Sequence, residues 1–89
     1  MKDKMLTGLK ENLDIVIYCY SQEIEDYDQT IKEFRRYYRE FNDMIFQMYV
    51  YDLLSTEEWR YLNDRAYQIR EERLLRLIAI NTERELKNL

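Results

Sequence analysis

The chain contains no proline and a single glycine, Gly8. Tight turns, hairpins and bulges draw heavily on those two residues. Their scarcity excludes a sheet-rich or loop-rich fold and points to long helices joined by few turns. Histidine is absent as well. That removes the commonest general base and the commonest metal ligand, and with them the Glu-x-x-His motif of a di-iron bundle. Cys19 is alone; it has no mate for an internal disulfide and no histidine to activate it. Its expected role is that of a small buried hydrophobe. One glycine does not make a phosphate-cradling loop. The longest apolar run, Ile15–Tyr20, has six residues, against the roughly 20 a membrane span requires. Met1-Lys2-Asp3-Lys4 leads into no apolar leader segment. The expectation is therefore a cytoplasmic, non-enzymatic protein with no metal, cofactor, small-molecule substrate or membrane partner.

What is present suits a single ordered domain over residues 1–89. Of these, 46% are hydrophobic, 15% aromatic and 36% charged, too apolar for disorder. A domain this small buries only about 60% of its unfolded surface. Two or three packed helices, or a dimer, are the ways to enlarge its core. The net charge of −4 is mild. It argues against general nucleic-acid binding, which needs a basic footprint. The acids are concentrated early: they outnumber the bases seven to three in residues 1–30 and balance them afterwards.

One helix start is clearly signalled. Leu54-Ser55-Thr56-Glu57-Glu58-Trp59 reads as a capping box, with Ser55 accepting from the Glu58 N–H and Glu58 from the Ser55 N–H. Leu54 and Trp59 occupy the two positions of a hydrophobic staple. The turn is placed at 53–55 and the helix at about 56–87.

Upstream, Leu13, Ile17, Tyr20, Ile24, Tyr27, Ile31, Phe34, Tyr38, Phe41, Ile45 and Met48 alternate in steps of four and three. That 3.5-residue period is the mark of a coiled-coil seam. It predicts one helix over about 5–53, with a break near 26–30 as the alternative, where Thr30 and Glu33 would form a second capping box. Ile15–Tyr20 resembles a strand in isolation, but no second strand exists to satisfy its backbone. An unbroken first helix would be about 75 Å long, more than the second could cover. Met44–Leu54 is also apolar nearly all round, and such a segment must be buried on every side. The expected architecture is all-α: a long N-terminal helix with a capped antiparallel return helix, as a helical hairpin or three-helix bundle, with coiled-coil-type packing and a second copy of the chain as partner.

The second helix carries Trp59, Leu62, Ala66 and Ile69, then Leu74, Leu77, Ile78 and Ile80. Its register slips after Ile69, where Arg73 and Arg76 take the strict heptad positions. The slip points to globular packing.

Two clusters are candidate partner-binding sites. Glu23, Glu25, Asp26 and Asp28 place four acids within six residues, either a solvated face or a docking patch for a basic surface. Arg35, Arg36, Tyr37, Tyr38 and Arg39 interleave bases with aromatics. Nucleic-acid binders use arginine on phosphates and aromatics on bases, but Tyr38 already belongs to the apolar register. Antiparallel pairing of two copies about Ile31 would bring the acidic cluster against the basic one, with the eleven-residue register as the self-association seam. Nine tyrosines add a residue type enriched at binding hot spots. The function these features support is non-catalytic binding of a protein partner, as adaptor or inhibitor, and the alternative is a small nucleic-acid-associated regulator using Arg35–Arg39. In composition the chain resembles small helical proteins of phages and mobile elements that bind and block a host factor, which implies an inhibitory role.

Overall fold

The structure is a computed structural model that describes residues 2–22 and 26–88. Three helices pack against one another: α1 (Lys2–Gln22), α2 (Tyr27–Val50) and α3 (Thr56–Lys87). No strand occurs among the described residues. α1 and α3 run in the same direction. Lys2 meets Glu58 at one end (3.4 Å), Asp14 meets Arg73 midway (2.5 Å), and Tyr20 meets Arg84 at the other end. α2 runs the opposite way, with Trp59 against Phe46 and Tyr49 and Arg70 against Tyr38. The bundle measures 53 × 17 × 17 Å, and its length is that of α3, about 48 Å for 32 residues.

The unbroken helix over 5–53 is therefore corrected. α1 ends at Gln22, and α2 starts from Asp26, whose extended backbone (φ −67°, ψ 131°) and side-chain bond to the Asp28 N–H (3.0 Å) make it the N-cap. Thr30 is not a cap. It lies one turn inside α2, buried, and its hydroxyl donates to the Asp26 carbonyl at 3.0 Å. The 3.5-residue register crosses the break because both helices turn the same kind of stripe towards one core. Leu13, Ile17, Tyr20, Phe34, Phe41 and Ile45 are buried, while Tyr27, Ile31, Tyr38 and Met48 are half-buried against them. Ile24 lies outside the described residues. The seam drawn for a second copy is thus occupied within one chain, together with Leu6, Leu9 and Val16 of α1 and Leu54, Leu62, Ala66, Ile69 and Leu77.

Cys19 is exposed, contrary to its expected burial. Consecutive helical residues are about 100° apart, and the α1 core stripe ends on Tyr20, which leaves its predecessor turned outwards.

The α2–α3 connection solves the ending of a helix without glycine. Asp52 adopts φ 61°. The Leu53 N–H reaches the Met48 carbonyl (2.8 Å) and the Asp52 N–H reaches that of Tyr49 (3.1 Å), the two bonds of a Schellman motif with aspartate in the left-handed position. Ser55 follows at once as the N-cap of α3. Both bonds of its capping box with Glu58 are present, each 3.0 Å. Leu54 is buried, and Trp59 is half-buried and stacked on Tyr49 at 5.0 Å.

The register slip in α3 has a physical cause. Arg73 and Arg76 both approach Asp14 of α1, so a charged contact replaces an apolar layer where the strict heptad would put one.

Candidate partner-binding surface

The structure separates the residues that the sequence grouped. Glu23 and Glu25 lie outside the described residues. Asp26 caps α2, and Asp28 sits in its first turn, where a carboxylate suits the positive end of the helix dipole. Local structure thus accounts for these two acids without any partner. Arg35, Arg36 and Arg39 are exposed, but their aromatic neighbours are not free beside them. Tyr37 is half-buried on the α1 side, with the Arg36 guanidinium 5.1 Å from its ring centroid. Tyr38 is half-buried towards α3, with Arg70 at 5.2 Å. Adjacent helical residues point about 100° apart, so Arg35–Arg39 does not form one basic-aromatic surface.

Among the described residues, open clefts run along the bundle, three of them between pairs of helices. One, of about 280 Å³, lies between α1 and α2 over Gly8, with Met5, Leu9, Phe41 and Met44 in its walls. A second, of about 270 Å³, lies between α1 and α3. The largest of these three, about 480 Å³, lies between α2 and α3 and is lined by Tyr27, Asp28, Ile31, Lys32, Arg35, Leu74 and Ile78. Its floor is aliphatic, Ile31 and Leu74 half-buried and Ile78 still 42% exposed. Tyr27, tilted against Tyr20 with ring centroids 5.8 Å apart, stands at its end. Lys32, Arg35 and Arg39 recur at i, i+3 and i+7 and share one edge of α2. Among the described residues none of the three has an ion-pair partner. By contrast, Arg70 of the facing helix is held by Glu71 at 2.7 Å. Further along the same face, Tyr67 and Phe46 are exposed.

Leu74 and Ile78 are the members of this surface that the sequence analysis assigned to the α3 core stripe. At 100° per residue Leu74 stands about a third of a turn from Leu62 and Ile69, and Ile78 nearly half a turn, an offset the spacing contains but which matters only once α2 is known to flank that side.

Among the described residues no three Cys, Asp or Glu side chains converge as metal ligands, and no helix is long and apolar enough to cross a membrane. Among the described residues Tyr20 is the buried hydroxyl whose acidity is clearly altered: burial pushes its pKa above 10.0, opposed by nearby Arg84. It donates to Asn81. No family model, curated protein or solved structure matches the chain.

Proposed function

We propose that the chain is a non-catalytic helical interaction module that binds a protein partner, as adaptor or inhibitor, through the face shared by α2 and α3. The observation that carries this is the α2–α3 cleft, where aliphatic side chains remain open to solvent beside a row of cations that no described side chain pairs. Apolar area with charged edges is the composition of an interface centre and rim. Nucleic-acid binding would need Tyr37 and Tyr38 as stacking platforms, and an arginine lies over each ring. That favours the protein partner over the nucleic-acid alternative.

The test is recovery of partners from the native host by the wild-type chain and by Ile78→Glu, with Ile15→Glu on α1 as control. Ile15 is 59% exposed and lines none of the three clefts. A protein recovered by wild type and control but not by Ile78→Glu supports the reading. Recovery of nucleic acid that falls steeply with salt overturns it.

Self-association is proposed through a different surface from the seam. Tyr51 and Leu53 at the α2–α3 turn are 71% and 69% exposed, adjacent to Val50. In sedimentation velocity, a wild-type dimer that Leu53→Glu converts to monomer is the expected result; a wild-type monomer at micromolar concentration rejects it.

A further inference from the structure

We infer that the occupant of the α2–α3 cleft is an acidic amphipathic helix, laid along the groove as a fourth helix of the bundle. This rests on the proposed function and specifies its partner.

The shape comes first. The cleft lies between two antiparallel helices, its apolar residues on α3 are Leu74 and Ile78, and the exposed Tyr67 lies on the same side of α3 two turns before Leu74. Tyr67 and Ile78 lie eleven residues apart, about 16 Å along the helix. A groove between two helices is filled by the ridge of a third, with apolar side chains at i, i+4 and i+7. Three turns of such a helix would cover Ile31, Leu74 and Ile78.

Charge selects which helix. The chain as a whole is acidic, with a net charge of −4, yet this edge of α2 presents Lys32, Arg35 and Arg39. Asp28 is the acid in the cleft lining, and it lies in the first turn of α2, where the helix dipole favours it. A carboxylate-flanked apolar stripe would bury its centre on Ile31, Leu74 and Ile78 while its edge met Lys32 and Arg35. A lysine-flanked helix would meet like charge there. Electrostatic complementarity of this kind chooses among partners more than it adds raw affinity.

The experiment uses the full chain and two synthetic 18-residue helical peptides with the same leucine stripe, one flanked by glutamate and one by lysine. Binding is followed by fluorescence anisotropy and by backbone amide shifts. The expected result is that the glutamate peptide binds, moves the amides of Ile31, Leu74 and Ile78, and weakens at least tenfold against Lys32→Glu/Arg35→Glu. The lysine peptide should bind that double variant better than it binds wild type. Ile15→Glu, on α1, should bind like wild type. Circular dichroism establishes that each variant keeps its helices, since all the substituted side chains except Ile78 are well exposed and Ile78 is not altered in this assay. Equal affinity for both peptides, no binding of the glutamate peptide, or shifts confined to another face each overturns the inference. So does displacement of the glutamate peptide by an equimolar single-stranded oligonucleotide. If the glutamate peptide fails while Ile78→Glu still abolishes recovery of a host protein, the face is an interface and the acidic helix is the wrong occupant. If both fail, the proposed function fails with it.

Discussion

The Arg84 guanidinium lies 4.3 Å from the centroid of the Tyr20 ring and donates a hydrogen bond of 2.7 Å to the Tyr20 carbonyl. The last carbonyls of a helix have no intrahelical partner and carry the negative end of its dipole. α1 has no basic residue in its last turn, so α3 supplies the cation from 64 positions away. Arg84→Ala should therefore cost about 2 kcal/mol, combining a charge-assisted hydrogen bond with a cation–π contact. Tyr20→Phe, which deletes the bond to Asn81 and the hydroxyl's interaction with Arg84, should cost about 1 kcal/mol. Urea denaturation would measure both. An Arg84→Ala midpoint equal to wild type would show that the contact does not hold the end of α1.

Asp14 and Arg73 offer a test of the register slip. Arg73 is 15% exposed and Asp14 37%, so the pair is only partly shielded from water. Asp14→Ala should cost about 1–2 kcal/mol, since it leaves a poorly solvated arginine with only the exposed Glu72 at 3.7 Å, whereas Asp14→Leu with Arg73→Leu should be near neutral or stabilising. A double variant as unstable as the single one would mean that the ion pair itself, and not the packing volume, maintains the α1–α3 alignment.

The capping box predicts both a mutational and a pH effect. Ser55→Ala should cost about 1 kcal/mol, or roughly 4–8 °C in the melting midpoint of a domain this size. Glu58 is held below the ordinary 4.5, first by the Ser55 backbone N–H, then by the Ser55 side chain and Lys2. A carboxylate depressed by folding stabilises the native state above its unfolded pKa, and that contribution disappears as pH falls through the folded value. Thermal melts of wild type and Glu58→Gln should thus differ at about pH 6, and the gap should narrow progressively as the pH falls below about 4.3, the unfolded glutamate value. A gap that stays constant over that range would contradict the assignment.

Two backbone positions carry glycine and non-glycine the opposite way from local preference. Gly8 lies within α1, and a Cβ built on it meets nothing within 4 Å. Gly8→Ala should raise stability by up to about 1 kcal/mol. Asp52 holds φ 61°, a region where a side chain is disfavoured by about 1 kcal/mol. Asp52→Gly should also stabilise, by a few tenths to about 1 kcal/mol. Calorimetric midpoints that fall in either variant would refute the corresponding geometry.

The all-α class and the start of α3 were legible in the residues because both are local. Ser55, Glu58, Leu54 and Trp59 lie within six positions, and their bonds form within one helical turn. The core positions were legible too, because a 3.5-residue repeat names the buried stripe wherever the chain bends. The bend itself was legible only as the alternative, a break near 26–30, and the spacing could not choose it over one continuous helix. Residues 13–48 keep one register whether they form a single helix or two helices facing one core, and the cap at Asp26 reads locally like any exposed acid. Whether Leu13 meets a second chain or α2 and α3 of its own depends on contacts between residues far apart in sequence, which spacing does not encode. The same holds for the candidate site. Lys32, Arg35 and Arg39 are visible as a charged stripe, and Leu74 and Ile78 as apolar residues. Only the antiparallel packing of α2 on α3 sets them side by side as one cleft, because helix faces acquire neighbours through tertiary contacts alone.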